Sequence, residues 1–200
     1  MKERLFVAAV GIPLTAAVVW FAPDILFLCV VGVVAVICII ELMSSGRKTS
    51  LLPVAVLILG SFSLLAAFKV RNGSLMTLMV FGCAYLSDGG AMLLGSRFGK
   101  KHPFPKVSPN KTDMGVIGGL IAPMIFSLLF VSEIGVAAAL VIGLILGVAA
   151  EAGDLFFSFI KRKIGIKDYG NILPGHGGML DRFDSVILVA PMAYLIWLIM

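Results

Sequence analysis

The chain has 200 residues, of which 60% are hydrophobic and 14% are charged. Its mean hydropathy of +1.09 lies far outside the range of soluble domains, so the composition excludes a soluble protein and predicts an all-α, polytopic integral membrane protein. The net charge of +5 requires no nucleic-acid partner, because membrane proteins carry an excess of cations on their inner side.

Apolar stretches, taken in chain order, predict seven transmembrane helices. The first stretch follows two cations, as in a signal peptide. It is long, however, lacks a convincing cleavage site and runs through Pro23-Asp24 into the next stretch, so we expect a retained helix. We expect a single catalytic domain over residues 1–200, with N-terminal spans in 1–74 and catalytic spans and loops in 75–200. The predicted spans cover residues 5–22, 25–43, 51–68, 75–95, 115–132, 134–157 and 185–200.

The distribution of cations predicts the orientation of these spans. With the N-terminus inside, only Lys69 and Arg71 of the 16 Lys and Arg residues fall on the outer side. This bias predicts an N-in, C-out protein whose two long loops, near 96–114 and 158–184, both face the cytoplasm. Polar chemistry is then expected in the membrane core or on these two loops.

The first long loop combines several cations with Pro103, Pro105 and Pro109. These prolines prevent a continuous helix, so backbone N–H groups are left available to bind a ligand. Closely spaced cations and hydroxyls suit phosphate oxygens. The candidate phosphate-binding residues here are Lys106, Ser108, Lys111 and Thr112. A plain cytoplasmic loop with proline turns would have the same composition, and that alternative stays open.

Acidic residues lie within or at the ends of three predicted spans. Asp88 lies in the fourth span, and Glu151 and Asp154 share one helix face near the inner end of the sixth. Asp181 and Asp184 begin the seventh span, where the positive end of the helix favours carboxylates. Because charge within a membrane is costly, acids at one depth predict a polar cavity or a bound cation. The alternative is that each acid pairs with a Lys or Arg.

The second long loop is the most polar segment of the chain. Its cations suit phosphate oxygens, its carboxylates suit a divalent metal, and its glycines allow close approach of the backbone to a ligand. The candidate binding residues of this segment are Lys161, Arg162, Lys167, Asp168, His176, Gly177, Gly178 and Arg182.

A spaced pattern runs through this second loop. It consists of Ser158-Phe159-Ile160-Lys161-Arg162, Lys167-Asp168, Gly170, Leu173-Pro174, His176-Gly177-Gly178 and Asp181-Arg182-Phe183-Asp184. The pattern resembles the signature of the phosphatidate cytidylyltransferases, also called CDP-diacylglycerol synthases. Upstream matches are Ser87-Asp88 with Gly90-Ala91 and Gly95, Lys106-Val107-Ser108-Pro109 with Lys111-Thr112, and Gly153-Asp154-Leu155. The resemblance is close over residues 85–184.

The sequence departs from that family pattern at three places. Gly89 stands where relatives commonly carry threonine, Asp113-Met114 replaces an aromatic-Glu pair, and Phe157 replaces a glutamate. The chain is also expected to be shorter than the common bacterial form by spans at the N-terminus. These departures affect the surroundings of the site and leave its core carboxylates in place.

The resemblance implies that CMP is transferred from CTP to the phosphate of phosphatidate, which gives CDP-diacylglycerol and pyrophosphate for phospholipid synthesis. Both substrates are anionic, so catalysis is expected to consist of charge neutralisation and in-line positioning, without a covalent protein intermediate. Mg²⁺ is expected as cofactor, and a second, monovalent cation is left open. The residues expected to hold Mg²⁺ are Asp154, Asp181 and Asp184, with Asp88 nearby, and Lys167 and Arg182 are expected to contact phosphate.

The expected partners are cytosolic CTP and phosphatidate in the bilayer, so the active site is expected on the cytoplasmic side of the cell membrane. The sequence leaves open the lipid tails and the oligomeric state, a homodimer included. A cytidylyltransferase for an isoprenoid ether-lipid phosphate would use the same head-group chemistry. A transporter would also explain acids within the membrane, but it would not need the His-Gly-Gly sequence. The pattern of CDP-alcohol phosphotransferases is absent.

Overall fold

The computed structural model describes residues 2–45, 51–172 and 177–200, with side chains described from residue 10 onward. Throughout these ranges the regular structure is helical, which confirms the predicted all-α class. The helices are α1 (Lys2–Phe21), α2 (Asp24–Ser45), α3 (Leu52–Phe98), α4 (Asp113–Ser127), the short α5 (Val131–Ile134), α6 (Val136–Ile164) and α7 (Leu180–Ile199), with one 3₁₀ turn at Leu128–Phe130 between α4 and α5.

Several of these helices are suited to a bilayer. Within the described residues, five helical segments are long and apolar enough to cross a membrane: Asp24–Ser45, Leu52–Phe98, Asp113–Ile134, Val136–Ile164 and Leu180–Ile199. The protein is therefore an integral membrane protein. The predicted total of seven spans, which counts α1 and two halves of α3 separately, stays a prediction.

Helix α3 is broken at Gly73, where φ is 80° and ψ is 179°. A straight helix of 47 residues would be about 70 Å long, more than twice the ~30 Å thickness of a bilayer core. Glycine permits this backbone conformation because it has no Cβ. The break lies in the gap between the predicted third and fourth spans.

The end of α6 differs from the sequence prediction. The sequence predicts a loop from residue 158, but α6 continues to Ile164 and carries Lys161, Arg162 and Lys163 in its last turn. Cations are stabilised there by the negative end of the helix. The helix then stops at Gly165, where φ is 77°. The Gly165 N–H donates to the Arg162 carbonyl at 3.2 Å and the Ile166 N–H to the Lys161 carbonyl at 3.0 Å, which is the Schellman pattern of a helix end.

The chain forms two compact units. The first unit consists of Met1–Leu78 and Lys161–Phe183, and the second consists of Met79–Ile160 and Asp184–Met200. Each unit has its own apolar core, with Phe68 and Leu42 fully buried in the first and Phe157 and Leu146 in the second. Each unit also contains a buried polar cluster.

Candidate active site

In the second unit, one lysine lies between two carboxylates. Lys111 precedes α4, and Glu151 and Asp154 lie three residues apart on α6. The Lys111 Nζ atom is 2.7 Å from Glu151 Oε2 and 2.5 Å from Asp154 Oδ2, and only 8% of the lysine side chain is exposed. Residues that the sequence placed on a loop and within a span are thus brought together as a buried ion cluster.

The irregular segment 99–112 positions Lys111 through tight turns. The Phe104 carbonyl accepts hydrogen bonds from the N–H groups of Val107 and Ser108, and the Lys111 N–H donates to the Ser108 carbonyl at 3.1 Å. Thr112 then caps α4, since its Oγ1 atom accepts a hydrogen bond from the Gly115 N–H at 3.1 Å. The position of Lys111 is therefore fixed by a turn on one side and a helix cap on the other.

Small residues make room for Glu151. This glutamate is only 6% exposed, and a Cβ atom on Gly119 of α4 would overlap its carboxylate. Gly119 is in turn held by α3, because the Ser87 Oγ donates to the Gly119 carbonyl at 2.9 Å. Because Gly119 has no side chain, α4 leaves the space that the Glu151 carboxylate occupies between α3, α4 and α6.

The two carboxylates of this cluster favour the charged form of Lys111. Burial by itself would lower the pKa of Lys111, but attraction to Asp154 and Glu151 outweighs burial, so the pKa lies above its ordinary value of 10.5. Lys111 is therefore a permanent cation at neutral pH. The cluster carries two acids and one base.

Asp184, a predicted metal ligand, and Asp88, which is predicted to lie near the metal, are in the same unit. Asp184 is 5% exposed, and its Oδ1 atom accepts a hydrogen bond from the Ser185 N–H at 2.8 Å. Asp88 is exposed on α3, and its Oδ1 atom lies 3.5 Å from the Ser185 Oγ. Helices α6 and α7 approach closely here, since a Cβ atom on Gly153 would lie 2.7 Å from the Asp184 carbonyl oxygen. The contacts thus join α3 to α7 at Ser185, and α7 to the part of α6 that carries Asp154.

In the first unit, Asp181 is the centre of a separate cluster. Its Oδ1 atom is 2.9 Å from the Lys161 Nζ. Its Oδ2 atom accepts hydrogen bonds from the N–H groups of Tyr169 and Gly178, both at 2.9 Å. The Lys161 ammonium also lies 5.5 Å from the centre of the Tyr169 ring. Asp181, 8% exposed, therefore holds Tyr169, which follows α6, and Gly178, which precedes α7, against the first turn of α7.

The other predicted binding residues range from buried to exposed. Gly177 has φ of 82°, and a Cβ atom there would lie 2.9 Å from Asp181 Oδ2 and 3.3 Å from Asp168 Oδ1. Gly178 is buried, and Ser108 and Thr112 are partly exposed. His176 lies outside the described residues. The remaining predicted contacts are exposed: Lys106, Arg162, Lys167, Asp168 and Arg182.

Sequence reasoning missed Glu41. This glutamate is 4% exposed near the end of α2, and its two carboxylate oxygens accept hydrogen bonds from Met179 N–H at 2.9 Å and Leu180 N–H at 2.8 Å. The available signal was a lone carboxylate at the end of an apolar run.

The carboxylates suit a hard cation. Their donor atoms are all oxygen, which Mg²⁺ prefers. Between Glu151 and Asp154, the ammonium group of Lys111 supplies the positive charge. Among the described residues, no group of three or more His, Cys, Asp and Glu side chains is arranged to hold a metal ion. The assignment of Mg²⁺ to Asp154, Asp181 and Asp184 stays a prediction.

Apolar helices that carry buried acid–base clusters define a polytopic membrane protein with polar sites inside it. The sequence model of the cytidylyltransferase family matches residues 46–200, and the chain belongs to that family.

Individual relatives agree with this family. The chain is 45% identical over 119 residues to a phosphatidate cytidylyltransferase of Staphylococcus saprophyticus, which covers 58% of the chain and 46% of the relative. It is 40% identical over 125 residues to the phosphatidate cytidylyltransferase of Bacillus subtilis. That alignment covers 60% of the chain and 46% of the relative. It is also 40% identical over 134 residues to YnbB, an uncharacterized protein of Escherichia coli. That alignment covers 66% of the chain and 45% of YnbB. The chain thus spans about half the length of the curated relatives it matches.

Proposed function

We propose that this chain transfers CMP from CTP to the phosphate of phosphatidate, which gives CDP-diacylglycerol and pyrophosphate. The observation that carries the proposal is the family match over residues 46–200, together with relatives named phosphatidate cytidylyltransferase. This segment includes Lys111, Glu151, Asp154 and Asp181, the residues around which the two polar clusters are built.

The polar residues fit the needs of this reaction. A phosphate oxygen of the lipid attacks the α-phosphorus of CTP while pyrophosphate leaves, so negative charge accumulates on oxygens that cations must neutralise. Lys111 is a buried cation held in place by two carboxylates. Lys167 and Arg182 are exposed cations on the segment around Asp181, accessible to a nucleotide from water. We assign these three to phosphate contacts.

We also propose that the reaction uses Mg²⁺ as its cofactor. The acids we assign to it are Asp154, Asp181 and Asp184, and the bound ion would neutralise phosphate oxygens and orient the leaving group. Lys111 and Lys161 hold the carboxylates of Asp154 and Asp181 in place.

The bilayer explains why such an enzyme consists of apolar helices. Phosphatidate keeps its acyl chains in the membrane and presents its phosphate near the surface, and CTP is cytosolic. We therefore place the active site on the cytoplasmic side, with the N-terminus inside, as the distribution of cations indicates.

The deciding experiment is incubation of purified protein with CTP, Mg²⁺ and phosphatidate, followed by measurement of pyrophosphate and CDP-lipid. An isoprenoid ether-lipid phosphate is assayed in parallel, because it presents the same head group. Release of pyrophosphate with phosphatidate is expected, and transport of ions without nucleotide turnover would contradict the proposal.

Matched variants connect the activity to the acids. We expect Asp154→Asn and Asp181→Asn each to abolish turnover while the protein stays folded in detergent. Glu133→Gln, at an exposed glutamate on α5, is the control and should keep full activity. Near-normal turnover in either aspartate variant would contradict the metal assignment.

A further inference from the structure

Glu41 is a buried acid that the proposed chemistry does not use. It lies on α2, before the segment matched by the family model, which begins at residue 46. It is 4% exposed. A buried carboxylate is costly unless its oxygens are paired, so its partners indicate its role.

Those partners are two backbone N–H groups at the start of α7, one from Met179 just before the helix and one from Leu180, its first residue. Glu41 Oε1 accepts from Met179 and Oε2 from Leu180, at 2.9 and 2.8 Å, across 138 and 139 residues of sequence. The first N–H groups of a helix have no partner within the helix, and the helix dipole favours a negative group at that end. Glu41, on α2, therefore caps the N-terminal end of α7.

The same part of α2 also contacts Tyr169 and Gly170, which follow α6. Ser45 Oγ lies 3.0 Å from the Tyr169 carbonyl oxygen, and the Tyr169 N–H donates to Asp181 Oδ2. Gly170 and Gly178 both pack against the Glu41 carboxylate, where an added Cβ would lie 2.6 and 2.5 Å from its oxygens. Tyr169, Gly170 and Gly178 are thus held between α2 and the first turn of α7.

We propose that Glu41 is a positioning residue that fixes the start of α7, and through it the orientation of Asp181, for the transfer reaction. The inference rests on the proposed function. Glu41 touches no reacting atom. Its carboxylate holds the backbone of Met179 and Leu180, and this fixes the backbone position of the next residue, Asp181. Loss of the cap should leave the apolar helices packed while the Asp181 carboxylate samples more than one orientation.

The test compares Glu41→Gln with Glu133→Gln in the full chain purified in detergent. Glutamine has the same shape, but it offers one acceptor oxygen and directs an NH₂ group at a backbone N–H. We expect amide hydrogen exchange at residues 178–181 to accelerate and kcat per folded molecule to fall by about tenfold or more, the factor that corresponds to a lost hydrogen bond to a charged group. The unfolding midpoint should fall only by the amount that this one hydrogen bond contributes, because the apolar helices stay packed. Glu133→Gln should match the wild type in every measurement.

A second pair of variants tests the contact itself, even if Glu41→Gln does not fold. Gly170→Ala places a methyl group against Glu41 Oε1, so it should accelerate the same amide exchange when Glu41 is present. In a Glu41→Ala background that methyl group has space, and the additional effect of Gly170→Ala should largely disappear. Equal effects of Gly170→Ala in both backgrounds would overturn the proposal, because residues in contact should be non-additive.

The outcomes separate this inference from the proposed function. If the wild type makes no CDP-lipid, the proposed function fails, and amide exchange alone then decides whether Glu41 anchors α7. If the wild type is active and Glu41→Gln keeps both full kcat and slow exchange, the positioning role is wrong. If activity falls only in proportion to the amount of folded protein, Glu41 is structural and the proposal is also overturned.

Discussion

Replacing Lys111 with methionine removes the positive charge between Glu151 and Asp154 while keeping most of the side-chain volume. The lysine side chain is 8% exposed, and those of the two acids are 7% and 29% exposed. Loss of one partner from a buried ion pair costs about 3–5 kcal/mol, because the remaining charge stays buried. The partial exposure of Asp154 reduces that cost, so we expect Lys111→Met to destabilise the protein by about 2–4 kcal/mol.

The assay is unfolding in detergent, with Lys106→Met as the control. Lys106 lies on the same segment and is exposed, so its replacement should change stability by less than about 1 kcal/mol. A double variant, Lys111→Met with Glu151→Gln, should recover most of the lost stability, because it removes the more deeply buried unpaired charge. Activity should stay low in the double variant, since phosphate still lacks its cation. Wild-type stability in Lys111→Met would refute the reasoning, as would a double variant no more stable than the single one.

The pH dependence of this difference has a definite sign. The pKa of Lys111 is raised in the folded protein, where attraction to Asp154 and Glu151 outweighs the opposing effect of burial. A raised pKa contributes stability that is fully present below the unfolded value and is lost as pH rises through the folded value. The stability difference between wild type and Lys111→Met should therefore be constant from about pH 7 to 9 and shrink only above about 10.5. A decrease near neutral pH would show that Lys111 is not held as described.

Three further predictions concern the fold and the proposed site. Gly73→Ala should lower the free energy of unfolding by about 1–3 kcal/mol, because φ of 80° and ψ of 179° are almost restricted to glycine. Gly60→Ala is the control: Gly60 is helical with open space around it, so the change should be neutral or stabilising by about 0.5–1 kcal/mol. Single cysteines at Ser108 and at the exposed Asn171, in a protein without its three native cysteines, should be labelled only from the cytoplasmic side, and labelling from the other side would contradict the predicted topology. Arg182→Ala and Lys167→Ala should lower kcat/KM by about a hundredfold and Lys163→Ala by less than about fivefold, and an order in which Lys163→Ala is the most severe would contradict the assigned phosphate contacts.

Local sequence signals were sufficient for the helical class. Apolar runs of span length predicted helices, and the gap around Gly73 separated two predicted spans where α3 is broken. The boundary at residue 158 was wrong because cations were treated as loop residues. Lys161 to Lys163 instead form the last turn of α6, where the helix dipole favours them, and Gly165 ends the helix.

Long-range pairings could not be predicted from local patterns. The sequence indicated that Asp154 needs a cation, but Lys111 lies 43 residues away, and several cations of the same loop were equally available. Glu41 has no motif around it, and its partners are backbone N–H groups, which every sequence contains. Only the packing of α2 against the start of α7 identifies them.

The two acids chosen for the aspartate-to-asparagine test are held differently, and this affects how the test is interpreted. Asp154 is held by the Lys111 ammonium, so Asp154→Asn alters charge and leaves backbone hydrogen bonds intact. Asp181 Oδ2 accepts hydrogen bonds from two backbone N–H groups, those of Tyr169 and Gly178. An asparagine that turns its NH₂ group toward them would therefore also release Tyr169 and Gly178. Inactivity of Asp154→Asn therefore supports a direct chemical role, whereas inactivity of Asp181→Asn does so only if amide exchange at Tyr169 and Gly178 stays as slow as in the wild type.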